Sequence, residues 1–248
     1  MKIAIHSPFG VQAQEYGLLM ATATYLRSLN HEVVQLLCDG AAELCDRDGE
    51  HNWKRQADSC LSCMREQCTI SNEVKFERRG LSEFLSPEEI AESARQFAWA
   101  SGQQLREVNF RDKDLVDLCA HSLRVRFGTV ELAFKTESNI ENSRRYLLSS
   151  WRVLRAGMSF MNQVRPALVI VAGGKDHISA SLAAGVQLSS GALSTFQWDL
   201  ASRTIKITHP QSKEIFNSDF VLTDPVAFRA DLKSWPPDLI KMLDQLLH

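Results

Sequence analysis

The sequence predicts an α/β fold, a Rossmann-like open parallel sheet. Short apolar runs bounded by turns alternate with segments of helical periodicity, which is the pattern of β-α-β units. The run at 167–172 (ALVIVA) is short, branched and apolar, as expected for a strand buried on both faces. With 248 residues, 44% of them hydrophobic, the chain can bury a large core, so we expect a single domain over 1–248.

The first unit occupies the N-terminal forty residues. An apolar run at 2–6 ends in the turn residues Ser7-Pro8-Phe9-Gly10, and a helix is expected over 14–29 because apolar residues recur at helical spacing. Asn30 is a plausible stop for this helix. The run at 32–38 then predicts a second strand, which places the first turn at the carboxyl end of a sheet strand, where ligands of open α/β sheets bind.

The helices and strands after residue 79 are predicted from the same local signals. Ser86, Pro87 and Glu89 form a capping-box pattern, so a helix should begin there and run to about residue 100. Further helices are expected over 112–125, 139–164, 177–184 and 237–247, and further strands over 167–172, 193–197, 204–208 and 220–222.

Charge and hydropathy exclude two classes of protein. The 28 basic and 30 acidic residues give a net charge of −2 without a long block of one sign, so the basic footprint of a nucleic-acid-binding protein is missing. No stretch approaches the roughly 20 apolar residues of a membrane-spanning helix. The N-terminal apolar run is too short for a secretion signal, and we therefore expect a cytoplasmic location.

A cysteine-rich insertion is predicted within the domain at 39–79, where the sequence is polar and lacks sustained periodicity. The spacing C-x14-C-x2-C-x4-C suits thiolates that converge on one ion, and a further cysteine lies seven residues upstream. The candidate metal ligands are Cys45, Cys60, Cys63, Cys68 and Cys38, and His51 could replace one of them. The expected cofactor is zinc or an iron–sulfur cluster, and the spacing does not choose between them.

Two alternatives to metal binding remain open for these cysteines. The first is a redox or disulfide role, and because cytoplasmic thiols stay reduced, a redox role is favoured over structural disulfides. Thiols without any partner are also possible, because a free cysteine behaves as a small hydrophobic residue. Cys119 is expected to do only that, since it lies beside leucines on the apolar side of a predicted helix.

Two loops that follow predicted buried strands are candidate ligand contacts. Glycine allows close approach, and backbone N–H groups at a helix N-terminus attract anions. Neither loop matches G-x-G-x-x-G or the Walker spacing, so an ordinary strand-to-helix turn is the alternative for each. The candidate ligand-binding residues are Ser7, Phe9, Gly10, Gly173, Gly174, Lys175, Asp176 and His177.

The second loop also carries groups suited to chemistry. Lys175, Asp176 and His177 place a cation, a carboxylate and an imidazole together, which would suit acid–base work or diphosphate recognition. His6, at the end of the first strand, is read as a hydrogen-bonded structural residue. No Ser/His/Asp order stands out, so the sequence assigns no catalytic residue.

The segments I-H-S-P-F-G-V-Q-A-Q-E-Y-G at 5–17 and Y-L-R-S-L-N-H-E-V-V-Q-L-L-C-D-G at 25–40 resemble the N-terminal domain of GT-B glycosyltransferases of bacterial surface-polysaccharide biosynthesis. In that family a glycine-rich turn leads to a helix and then to Leu-Arg-x-x-Gly-His-Glu-Val; Asn30 replaces the glycine here. The resemblance implies an acceptor-side half of such an enzyme, working with a partner subunit or no longer catalytic.

Three functional hypotheses follow from these patterns. The first is a glycosyltransferase-like protein that binds a glycosyl or nucleotide-type ligand, such as a nucleotide sugar or a glycan, at the two loops. The second is a metal- or iron–sulfur-binding protein whose cysteine cluster is the functional centre on a Rossmann-like scaffold. The third is an interaction subunit with neither activity.

Overall fold

The computed structural model describes residues 1–7, 14–46, 58–65, 67–68, 76–199, 204–208, 215–218 and 237–247. Over these residues the chain is an α/β fold with a mostly parallel sheet flanked by helices, which confirms the predicted fold class. The limits of the predicted insertion and the single-domain organisation stay predictions.

The sheet contains β1 (Lys2–Ser7), β2 (Glu32–Leu37), β3 (Glu77–Gly80), β6 (Leu168–Ala172), β7 (Leu193–Asp199), β8 (Thr204–Thr208) and β9 (Ile215–Ser218) in the order β3-β2-β1-β6-β7-β8-β9. Neighbours from β3 to β7 are parallel, whereas β8 and β9 are added antiparallel. Residues 200–203 are too few to connect parallel neighbours, so β8 must reverse direction. A separate hairpin joins β4 (Asn109–Phe110) to β5 (Lys113–Asp114).

The described helices are α1 (Gln14–Ser28), α2 (58–65), α3 (Pro87–Ala98), α4 (Gly102–Arg106), α5 (Leu115–Phe127), α6 (Glu137–Val164), α7 (His177–Leu188) and α8 (Pro237–Leu246). The predicted capping box is confirmed at α3: Ser86 Oγ accepts from Glu89 N at 3.2 Å, and Glu89 Oε2 accepts from Ser86 N at 2.9 Å. None of these helices combines the length and apolarity that crossing a bilayer requires.

Alternation along the central strands assigns the helices to two faces of the sheet. Ile3 and Ile5 of β1 pack with α1 and α8, whereas Ala4 packs with α6 and α7. A further layer lies behind α6, where α5 contributes Leu115 and Cys119 to a third apolar cluster. The central strands are therefore covered on both faces, which explains their continuous apolar sequences.

α6 and α7 meet backbone to backbone at two glycines. A Cβ on Gly185 would lie 2.5 Å from the carbonyl oxygen of Leu154, and a Cβ on Gly157 would lie 2.9 Å from Leu182 Cδ1. The first contact is with backbone, so a side chain at Gly185 would push the helices apart, whereas a side chain at Gly157 would require the Leu182 side chain to move.

β3 was not predicted, and it occupies the end of the predicted insertion at 39–79. Its sequence, Glu-Arg-Arg-Gly, has neither the apolar content nor the alternation that identifies a strand. It forms at the edge of the described sheet, where it pairs with β2 and where its charged side chains can reach solvent. The predicted strand at 220–222 lies outside the described residues.

Candidate active site at the carboxyl ends of β1 and β6

The strand order reverses between β1 and β6. These strands are parallel neighbours, with His6 opposite Val171, yet β2 and β3 continue on one side and β7 on the other. α1 follows β1 onto one face, while α7 follows β6 onto the opposite face. Open α/β sheets bind ligands at the carboxyl ends of strands at such a switch point. We call the space beside Ser7 and residues 173–177 the switch-point crevice.

The loop after β6 needs its two glycines. Gly173 and Gly174 have φ of 83° and 88°, a left-handed conformation that other residues adopt only with strain. A Cβ on Gly174 would have Gln197 Nε2 at 3.6 Å and Thr195 Cγ2 at 3.7 Å, so the loop passes over the side chains of β7. The crevice is therefore lined on this side by neutral hydrogen-bonding groups.

The first turn of α7 is satisfied within the chain. Asp176 Oδ1 accepts from Ile178 N at 3.1 Å and Ser179 N at 2.9 Å, and Asp176 O accepts from Ala180 N at 2.9 Å. The remaining N–H, of His177, donates to Ser122 Oγ at 3.0 Å. The Asp176 carboxylate thus occupies the place of an anionic ligand, and burial raises its pKa.

The His177 side chain belongs to a buried polar network. Its Nε2 donates to Leu44 O at 2.8 Å, and its Nδ1 lies 3.2 Å from Ser122 Oγ. The Ser122 hydroxyl donates to Asp46 Oδ2 at 2.5 Å. Burial lowers the pKa of His177, so the ring is neutral near pH 7. We call Asp46, Ser122 and His177 the buried clamp.

Tyr146 completes the surroundings of the clamp. Its ring meets the His177 imidazole edge-on, with centroids 4.8 Å apart. Burial, and then the nearby Asp46 carboxylate, raise the pKa of the Tyr146 phenol. This phenol therefore stays protonated at neutral pH.

The clamp has the residue types of a hydrolytic triad, but a different arrangement. In a triad the histidine lies between the serine and the carboxylate; here the serine hydroxyl donates directly to the carboxylate, and the histidine donates to a backbone carbonyl. Ser122 and His177 are both 0% exposed. Ser149 Oγ also accepts from Glu43 N and Leu44 N, at 2.9 and 3.1 Å. The arrangement anchors the segment after β2 to α5, α6 and α7.

His6 is the second fully buried histidine at this edge. Its Nδ1 donates to Leu36 O at 2.8 Å, so Nε2 carries the lone pair. Among the residues that the structure describes, Nε2 has no hydrogen-bond partner. Burial lowers the pKa of the ring to about 4. An unpaired buried acceptor costs on the order of 1–3 kcal/mol, so it requires an explanation.

The two loops predicted as ligand contacts are brought together by the pairing of β1 with β6. Ser7 is buried at the end of β1, Lys175 is exposed, and Asp176 and His177 are buried. Phe9 and Gly10 lie outside the described residues. Contact of these residues with a ligand stays a prediction.

The five candidate cysteines do not form a metal-binding group within the part of the chain that the structure describes. All five candidate ligands are described, and no group of three or more His, Cys, Asp or Glu side chains among the described residues could hold a metal ion. Cys60 and Cys63 lie on α2, whereas Cys38 and Cys45 pack against the apolar cluster between the sheet and α6. Zinc or an iron–sulfur cluster as cofactor stays a prediction from spacing alone, and His51 lies outside the described residues.

The individual thiols have different surroundings. Burial raises the pKa of the Cys38 thiol to about 12. Gln67 Nε2 donates to Cys63 Sγ at 3.2 Å. Cys119 is completely buried in the third apolar cluster, which confirms its predicted packing role.

Sequence reasoning missed most of the buried polar residues. Asp46 lies in the polar stretch after β2, and Ser122 and Tyr146 lie within helices read for their apolar faces. Asp46 and Ser122 are 76 residues apart along the chain, and Ser122 and His177 are 55 residues apart. A serine on an apolar helix face was the one available signal, and it is too common to be specific.

No family model and no curated protein matches this sequence. Among solved structures, the fold is similar to AlbC, a cyclodipeptide synthase from Streptomyces noursei. The similarity covers 73% of this chain and 86% of that chain, with 12% sequence identity and a TM-score of 0.40. A likeness this weak assigns no activity to the present chain.

The resemblance to GT-B glycosyltransferases is contradicted. A solved structure with a similar fold is a cyclodipeptide synthase and not a GT-B enzyme, and no family model matches the sequence. Sequences such as that of residues 5–17 occur in many Rossmann-like domains. The motif therefore indicates the fold class and does not identify the family. The glycosyltransferase hypothesis is therefore wrong, as is the hypothesis that a cysteine-bound metal is the functional centre.

Proposed function

We propose that the chain binds a small neutral or zwitterionic molecule in the switch-point crevice. The observation that carries this proposal is the pairing of β1 with β6 at the reversal of strand order, which brings two turn-bearing strand ends side by side. Small-molecule sites of α/β folds occur preferentially at this position.

The charges around the crevice support the choice of ligand. Asp176 supplies a carboxylate that already accepts the N–H groups of α7, and Lys175 supplies an exposed cation beside it. Thr195 and Gln197 contribute neutral groups below Gly174. A phosphate would lie against the Asp176 carboxylate, whereas a neutral molecule or a balanced pair of charges meets no net repulsion.

The expected setting is the cytoplasm, without nucleic acid as a partner. The balanced composition, with a net charge of −2, supports a small-molecule ligand over a polyanion.

A thermal-shift screen tests the proposal. The library contains amino acids, neutral amides, amines and hydroxy acids, and each hit is repeated on Gly174→Val and Gly128→Val. Both glycines have left-handed backbones, with φ of 88° and 83°, so the two variants carry similar strain. We expect hits to raise the melting temperature of the wild type and Gly128→Val by several degrees, and to leave Gly174→Val unchanged.

Two results would contradict the proposal. One is the absence of any hit on the wild type. The other is a hit that Gly128→Val loses while Gly174→Val keeps it. That pattern would place the ligand in the surface cleft of about 460 Å³ that α5 forms with residues 128–131.

A further inference from the structure

His6 lies between two aliphatic residues on the neighbouring strands of the sheet. Leu36 of β2 and Val171 of β6 lie opposite it in register, and both belong to the apolar cluster under α6 and α7. Ala4, two residues earlier on β1, belongs to the same cluster. An imidazole is therefore placed in the middle of an apolar face, one residue before the carboxyl end of the strand.

The ring has one defined tautomer. Because Leu36 O can only accept, the 2.8 Å contact places the proton on Nδ1 and leaves the lone pair on Nε2. Burial lowers the pKa of the His6 ring to about 4. The chain thus holds a neutral hydrogen-bond acceptor in a fixed orientation.

We infer that His6 Nε2 is the acceptor for a hydroxyl or amine group of the molecule bound in the switch-point crevice. This inference rests on the proposed function and assigns to its ligand a hydrogen-bond donor. Its basis is the position of an unpaired, fully buried nitrogen beside Val171, two residues before the Gly173-Gly174 loop. Native proteins pair nearly all buried polar atoms, so an unpaired one at a ligand-binding edge identifies the place of an incoming donor.

Two probes that share a skeleton, one with hydrogen-bond donors and one without, test the role of Nε2. Ethylene glycol carries two hydroxyls, and 1,2-dimethoxyethane is the same skeleton with both hydroxyls methylated. The readout is the ¹⁵N NMR signal of His6 Nε2 in the full chain, which moves when this nitrogen accepts a hydrogen bond. We expect ethylene glycol to move it and dimethoxyethane to leave it in place.

Two variants separate binding from folding. His6→Leu removes both ring nitrogens and suits the apolar surroundings, so it should melt no lower than the wild type and lose at least tenfold in affinity for the screening hits. His6→Asn keeps a donor for Leu36 O and removes the Nε2 acceptor, so it should lose affinity similarly. A control, Gly128→Val, should bind as the wild type does.

The outcomes distinguish this inference from the proposed function. If hits bind the wild type and His6→Leu equally, the acceptor role is wrong while binding in the crevice stands. The same conclusion follows if the Nε2 signal of the free protein already shows an accepted hydrogen bond and His6→Leu melts lower, because Nε2 would then be satisfied by internal solvent. If no compound binds the wild type, the proposed function fails first.

Discussion

His6 and His177 are both fully buried at the carboxyl edge of the sheet, and both are neutral because burial lowers their pKa. They differ in their hydrogen bonds. His177 donates Nε2–H to Leu44 O and its backbone N–H to Ser122, and its Nδ1 lies 3.2 Å from Ser122 Oγ. His6 has one hydrogen-bond partner among the described residues, Leu36 O. We therefore expect His177 to contribute more to the stability of the fold than His6 does.

The largest effect that follows from this comparison is on the free energy of unfolding of His177→Leu. Removing the ring takes away the donor that Leu44 O accepts from and the imidazole that packs beside the Ser122–Asp46 pair. We expect a loss of about 3–5 kcal/mol, measured as a lower urea midpoint at an unchanged m-value. His6→Leu is the matched control and should stay within about 1 kcal/mol of the wild type. Equal losses in the two variants would remove the distinction between the histidines.

The second largest expected effect is a difference between the wild type and His6→Leu in how stability depends on pH. The unfolded chain protonates His6 near its ordinary pKa of 6.5, but the folded protein protonates it only near 4. Stability from this group is therefore complete above pH 6.5 and is lost as the pH falls towards 4, by about 3 kcal/mol. Both proteins keep His177, whose pKa is also lowered by burial, so both should lose stability between pH 7.5 and 4 in urea unfolding. The wild type should lose about 3 kcal/mol more than His6→Leu. Parallel curves would mean that the ring is not kept neutral by burial.

A smaller effect is expected between two buried serines. Ser122 Oγ donates to Asp46 and accepts from His177 N, whereas Ser181 Oγ has no partner among the described residues. Ser122→Ala should cost about 1–3 kcal/mol, and Ser181→Ala should change stability by less than about 0.5 kcal/mol. Both serines are 0% exposed and helical, so changes in helix propensity and burial cancel in the comparison. A reversed order in thermal unfolding would show that the clamp does not hold the segment after β2.

Much of the fold was predictable because its elements have strong local signals. The capping box of α3, the apolar stripe of α6 and the branched run of β6 each appear in the described structure close to their predicted limits. β3 gave no such signal, because a charged edge strand is specified by its pairing with β2 and not by its own residues.

The candidate site was predictable in one part only. The turn after β6 is visible as glycines behind an apolar run, whereas the buried clamp depends on three segments that only the tertiary fold brings together. The cysteine spacing was not a sufficient guide, because Cys60 and Cys63 lie on α2, Cys38 and Cys45 pack against an apolar cluster, and the described residues contain no metal-binding group. His6 was read as a hydrogen-bonded residue, which holds for Nδ1 and not for Nε2.

The contact of Gly157 with Gly185 bears on how the crevice can adapt. Since Gly185 lies against the main chain of α6, α7 cannot rotate or slide without carrying its neighbour along. In the proposed site, the wall built on α7 would therefore stay fixed, and adjustment to a ligand would come from the side that faces it. We expect a site with one fixed wall to select its ligands by size.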